Sequence, residues 1–347
     1  MKKFFLIVKK LFFIFRKFFI YKNINLLNYY IFRIKSKSIF DTFDFKKDKL
    51  IKKNNISKNR KVIFIYRSRR KNNASTIMRA FQLQKILNEE GGLNTEIIDE
   101  SFIKNIKESV CILNKSFLID ASSKEFEELI SQGNTLCLDY IDSRETLFQV
   151  NYCHCLIASS IKQFKFYQER YKNKLTHLIT HHVDPRLTKT EKKFKNLRIG
   201  YFGEEKNGLY IDQLKELIYP CYISTKKMSE ENWFHEIQNY NGHYIARKIN
   251  GNNIYKPFLK GFTAAFLNAN VIVGLDEGDS TFYLGKDYPY LIKDKSIDGV
   301  TKMIKFMQKT FNSRVWFDGL EIMREVKSKS SNKQIIKEFK LMLNSIF

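Results

Sequence analysis

What constrains this chain most is an order of elements that is written into it twice. VIFIY (62–66) is a short β-branched and aromatic run, RSRRKNNA is a loop, and STIMRAFQLQKILNEE (75–90) carries Ile77, Ala80, Phe81, Gln84 and Leu87 near a 3.6-residue period. Ser75 reads as the N-cap of that helix, Gly91-Gly92 as its stop, and TEIID (95–99) as the next strand. Strand, loop, helix, strand at this spacing predicts a right-handed βαβ crossover, with parallel strands and ligand loops at their carboxyl ends. VCILN (110–114), TLCLDY (135–140) and CLIASS (155–160) continue the strands, with helices over 122–131 and 161–171 between them. After HLITHHVDPRL (177–187) and the charged run TKTEKKFKN, the order restarts. It runs through a strand LRIGYFG (197–203), a loop EEKNG, a helix over 210–218, a strand YIST (222–225) and a strand HYIAR (243–247). A chain of 347 residues suits two such domains of about 130 residues each plus extensions. We place the first at 61–190 and the second at 191–347.

The formal net charge of +25 raises a nucleic-acid reading, which depends on where the charge sits. Residues 1–71 hold 22 Lys+Arg against 3 acids, so only six net positive charges remain for the other 276 residues. The folded part is mildly basic and carries no recognisable nucleic-acid module, so no nucleic-acid partner is expected. The five cysteines, Cys111, Cys137, Cys153, Cys155 and Cys221, are odd in number and sit mostly in apolar runs, which reads as reduced thiols in a cytoplasmic protein. Cys153-His154-Cys155 lacks a second ligand pair at zinc spacing, and His181, His182 and Asp184 form one clustered loop without distal carboxylates. No metal site is expected.

In the first 22 residues, basic pairs recur every seven positions (Lys2-Lys3, Lys9-Lys10, Arg16-Lys17) between Phe, Leu, Ile and Val. A spanning helix needs about 20 nearly uncharged residues, and no apolar run here is that long. We therefore expect a basic amphipathic helix over 1–33 lying on an anionic membrane surface, followed by a linker over 34–60. That places the protein on the cytoplasmic, inner face of a membrane.

Candidate site residues fall at strand ends. Arg69, Asn73 and Ser75 precede or open the first helix, where the amide groups and dipole favour an anion. Asp142, after TLCLDY, stands where a general base for a sugar hydroxyl is placed. In the second half, KPFLKGFTAAFLNANVIVGLDEGDSTFYLGKDYPYLI (256–292) puts Pro257 at a first helical position, Lys256 at the cap and Lys260 one turn on. Cations beside the positive end of a helix dipole cost about 0.3–1 kcal/mol each unless an anion compensates, and a diphosphate is such an anion. Thr263 lies on the same helix, and Arg247 ends HYIAR. Asp276, Glu277 and Asp279 follow the strand VIVG, where an acid can hold ribose hydroxyls.

Segment 256–292 resembles the donor-binding helix and following strand of the GT-B glycosyltransferases, and GYFG at 200–203 resembles the glycine turn of their second lobe. The resemblance implies an α/β fold of two Rossmann-like domains, the GT-B architecture. It also implies sugar transfer from a nucleotide-sugar, a co-substrate rather than a cofactor, to a glycan or lipid-linked acceptor of envelope polysaccharide synthesis. On it, Arg247, Lys256, Lys260 and Thr263 hold the donor phosphates, Gly203, Asp276, Glu277 and Asp279 the nucleoside, and Arg69, Asn73 and Ser75 an acceptor-side anion. The two glutamates, eight residues apart, that many retaining members carry have no counterpart, since those places fall near Lys256 and Ala264. The rival readings are a nucleotide-sugar epimerase of the same fold and a non-catalytic, membrane-associated, anion-binding protein.

Overall fold

In the computed structural model, residues 60–188, 194–227, 232–248, 255–275 and 277–347 are described. The expected amphipathic helix and nearly all of the linker lie outside them. Among the described residues no helix is long and apolar enough to cross a membrane.

The first sheet forms because its strands are apolar on both faces. In β1 (Val62–Tyr66), Ile63 and Ile65 enter one core while Val62 and Phe64 enter the other. The helix that follows, α1, runs over 74–89, with Ile77–Gln82 wound as a π-helix. Asn73, two residues earlier than expected, is its N-cap. Next come β2 (Thr95–Asp99), β3 (Val110–Asn114), α2 (Lys115–Leu118) and α3 (Ser123–Ser131), which a Ser122/Glu125 capping box starts. β4 (Thr135–Asp139), α4 (Leu147–Tyr152), β5 (Cys155–Ala158), α5 (Ile161–Arg170) and β6 (Leu175–Leu178) complete the lobe. The six strands lie in the order β2-β1-β3-β4-β5-β6, all neighbours parallel. Cys153 closes α4 and packs into one core, whereas Cys155 opens β5 and packs into the other, so the two thiols lie on opposite sides of the sheet.

The second lobe repeats the scheme with β7 (Ile199–Gly203), α6 (Ile211–Leu214), β8 (Tyr219–Tyr222), α7 (Trp233–Glu236), β9 (Gly242–Tyr244), α8 (Leu259–Phe266) and β10 (Asn270–Gly274). α9 (Ser280–Leu284), β11 (Leu291–Ile292), α10 (Ile297–Thr310) and α11 (Arg314–Lys329) follow. Its order, β11-β10-β9-β7-β8, is that of the first sheet counted from its own first strand. In each lobe the first and third strands are neighbours, and the chain turns to opposite sides there. That switch point is where open parallel sheets take ligands.

Three boundaries differ from the sequence reading. The helix expected over 210–218 is a single turn, and the strand expected at YIST forms three residues earlier, on YPCY. Residues 223–225 instead leave the sheet as the loop at its carboxyl end. The third difference is a crossover: α12 (Asn332–Ile346) returns to the first sheet, burying Ile335, Phe339, Met342, Leu343 and Ile346, with the Phe339 ring 5.9 Å from that of Phe64. The sheet face made by Val62, Phe64, Ile112, Cys137 and Ile157 has α1 over only part of it, and α12 covers the rest. The last helix of the span assigned to the second domain thus belongs to the core of the first.

Candidate functional site

The switch point of the second lobe faces the amino end of α1 across a crevice, and a cavity of about 150 Å³ lies between them. Phe202, Gly203, Ile223, Trp233 and His243 line it from the second lobe, and Ala74 and Met78 from the first. One rim is tied shut, because the amide of Ala74 donates to the Thr225 carbonyl at 2.8 Å. The wall is mostly apolar, with Asp184, Thr225 and Lys260 among its polar members, and two of its ring nitrogens, Trp233 Nε1 and His243 Nε2, are buried without a partner among the described residues. Burial pulls His243 down to about 4, so its imidazole is neutral near pH 7. A flat aromatic heterocycle with polar edges fits such a surface.

Beside the cavity, α8 begins at Leu259 rather than Pro257. Phe258 is its N-cap, and no side chain caps it. Lys256 therefore stands two residues before the cap, and Lys260 is in the first turn. The Lys260 ammonium lies 4.2 Å from the Tyr201 ring centre and so close to Gly203 that a Cβ there would come within 2.5 Å of Nζ. Burial, and then the charge of Arg247, hold Lys260 well below the usual lysine range. Among the described residues no carboxylate reaches ion-pair distance of Lys260 or of the Arg247 side chain. Arg247 lies just beyond β9, where it bridges Gly208. Thr263 also lines the cavity, its hydroxyl donating to the Leu259 carbonyl at 3.1 Å. Two unpaired cations, an uncapped helix start and an apolar cavity therefore adjoin one another.

Asp142, the expected base, is ion-paired on both of its oxygens. One carboxylate oxygen accepts from Lys115 at the start of α2, and the other accepts from Lys256 on the opposite lobe. Burial alone would raise its carboxyl, but Lys256 and Lys115 hold it well below the usual carboxylate range. A carboxylate so stabilised is a poor proton acceptor. His181, buried in the passage between the lobes, has no partner for either ring nitrogen among the described residues. Its electrostatic neighbours are Arg79, His182, Asp142 and Lys256.

In the acidic loop, the two described carboxylates expected near the ribose have partners within the fold. Glu277 accepts from the Arg247 amide at 2.9 Å and pairs with Lys295 at 3.1 Å. Asp279 crosses to the first lobe, where it accepts from the amides of Ile161 at 2.8 Å and Lys162 at 3.3 Å, completing with Ser160 the cap of α5. Asp276 lies outside the described residues.

The acceptor-side anion group is not assembled either. Arg69 and Arg70 pair with Asp120, and Arg67 pairs with both Asp120 and Glu125. Asn73 caps α1 with no side-chain bond, and Ser75 only offers its carbonyl to the Asn114 side chain. The sequence reading missed Lys115, whose signal was its place directly after the strand VCILN. It also missed Trp233 and His243, which no local pattern marks, and it weighed His181 only as a metal ligand. Among the described residues, no group of three or more His, Cys, Asp or Glu is gathered for a metal.

No protein-family model and no curated protein matches this chain. Solved structures do match it in fold. A glycosyltransferase from Rickettsia africae aligns with a TM-score of 0.60 at 10% identity, over 84% of this chain and 99% of that one. Anabaena HepE, solved in complex with UDP and glucose, aligns at 0.53 and 11% over 82% and 100%. A chain of the GtfA/B complex aligns at 0.51 and 11%; it covers 71% of this chain, which spans only 59% of that longer protein. With two parallel sheets of the same strand order facing one crevice, the chain has the GT-B fold.

Proposed function

We propose that this protein is a glycosyltransferase that takes a sugar from a uridine diphosphate sugar and passes it to a glycan or lipid-linked acceptor in envelope polysaccharide synthesis. The observation that carries the reading is the placing of Lys260 and Arg247, without carboxylate partners among the described residues, at the uncapped start of α8 beside a mostly apolar cavity at the switch point. In this reading the nucleobase enters between Phe202, Ile223 and Trp233, and meets the free edges of Trp233 and His243. The diphosphate meets Lys260, Arg247, Lys256 and the first amides of α8. As the sugar leaves, negative charge grows on the diphosphate. Fixed cations aimed at that charge are the term that lowers the barrier most.

The choice of uridine rests on the ligand bound in HepE, a neighbour in fold. The acceptor lies toward the first lobe, whose β4 and β6 ends bring Asp142 and His181 to the crevice. Membrane attachment through residues 1–33 agrees with a lipid-linked acceptor and an inner-face location. Thermal unfolding with UDP-, GDP-, ADP- and CMP-sugars tests the donor. A ligand at 100 times its dissociation constant adds about 2.7 kcal/mol, and the UDP-sugars are expected to give that shift. A protein stabilised by none of the four, with no UDP released from any donor, is not a transferase of this kind.

A further inference from the structure

We propose that Asp142 is an internal counter-anion that holds Lys256 across the empty crevice and yields it to the donor diphosphate, keeping Lys115 as its remaining partner. The inference rests on the donor site proposed above and assigns a role to a residue that site leaves out.

Geometry is the first support. The Asp142–Lys256 pair joins the loop after β4 in the first lobe to the residues before α8 in the second, so it bridges the two walls of the crevice. The cavity beside it holds about 150 Å³, whereas sites for whole small ligands measure about 300–1,000 Å³. A complete nucleotide-sugar therefore enters only if the walls separate, and separation must break this pair.

Charge is the second. Among the described residues, Lys256, Lys260, Arg247 and Lys115 lie near one exchangeable carboxylate, because Glu277 is already held by Lys295 and Glu204 by Lys206, Thr225 and Asn207. A diphosphate carrying two negative charges that takes Lys256 along with Lys260 and Arg247 leaves Asp142 and Lys115 as a balanced pair. Asp142 is then paired with a cation at either stage, the condition under which breaking a half-buried ion pair is not prohibitive. Asp142 has two lysine partners on two lobes, so it can lose one without being stranded.

The exchange predicts that ligands carrying a diphosphate compete with Asp142 for Lys256, whereas the bare nucleoside does not. Titration calorimetry with UDP, uridine and, as a base-independent probe, inorganic pyrophosphate tests this on the full chain. Asp142→Asn is expected to bind UDP and pyrophosphate about tenfold tighter, with uridine unchanged. In a Lys256→Met background the same substitution is expected to have no effect, because the lysine it competes for is gone. Lys115→Gln makes Asp142 depend on Lys256 alone and is expected to weaken UDP severalfold. This variant decides the matter if Asp142→Asn does not melt cooperatively.

UDP affinity left equal or weaker by Asp142→Asn, or tightened as much in the Lys256→Met background as in the parent, overturns the exchange and leaves the donor site standing. Failure of the parent protein to bind either UDP or pyrophosphate overturns the donor site and the exchange together.

Discussion

Both lobes carry arginines or lysines around a strand end and a helix start, and the two clusters differ in what surrounds them. In the first lobe Arg67, Arg69 and Arg70 meet Asp120 and Glu125, two acids of the same lobe that neutralise them in place. In the second, among the described residues, Lys260 and Arg247 find no acid, and Lys256 finds one only on the facing lobe. A basic loop before a helix is thus not yet an anion site. The acids packed around it decide, and those come from elsewhere in the chain.

The largest expected effect breaks the comparison at its functional end. Lys260→Met should lower the turnover of a UDP-sugar by about 10²- to 10³-fold, as loss of one preorganised charge donor does, while the melting curve stays cooperative. Assay of UDP release checks it, and a variant within threefold of the parent removes Lys260 from the site.

Next in size is a pH effect at the contact between lobes. Burial raises Asp279 to about 6, above its ordinary value of 3.8, so folding favours its protonated form. The stability it contributes is complete below about pH 4 and is lost as pH rises to about 6, about 3 kcal/mol from this group. Asp279→Asn should flatten that part of the urea-unfolding profile between pH 4 and 6. An unchanged slope would mean that burial does not hold Asp279 protonated against the pull of the α5 amides.

A smaller effect converts the first cluster toward the second. Asp120→Asn leaves three arginines with Glu125 alone. It should cost about 1 kcal/mol in denaturant and give the first lobe a phosphate-dependent stabilisation that the parent lacks. The smallest is Arg69→Met. Arg69 is 65% exposed and shares Asp120 with two neighbours, so its loss should change stability by less than about 0.5 kcal/mol and activity not at all. Denaturant midpoints and initial rates measure both, and a tenfold fall in rate would return this loop to the acceptor site.

How much was legible follows from the range of the forces involved. β1 and β3 lie where VIFIY and VCILN predicted them, because a parallel strand buried on both faces writes itself as a nearly unbroken apolar run. The edge strand β8 was displaced by three residues, since Tyr219 and Tyr222 stay exposed and the run carries little apolar signal. The amino end of α8 was legible as a cation-rich helix start, although Pro257 suggested a boundary two residues too early. The partners were not legible. Asp142 lies 114 residues before Lys256, and Asp279 lies 118 residues after the helix it caps, so only the folded crevice brings them together.

The return of α12 to the first sheet has a consequence for how the molecule is made. Val62, Phe64 and Ile112 belong to strands that leave the ribosome early, yet the helix that shields them is translated only after the entire second lobe. Until then the nascent first lobe presents a greasy flank to the cytosol, a target for chaperones and for mispairing with other chains. Synthesis of the two lobes is sequential, but completion of the first waits on the second.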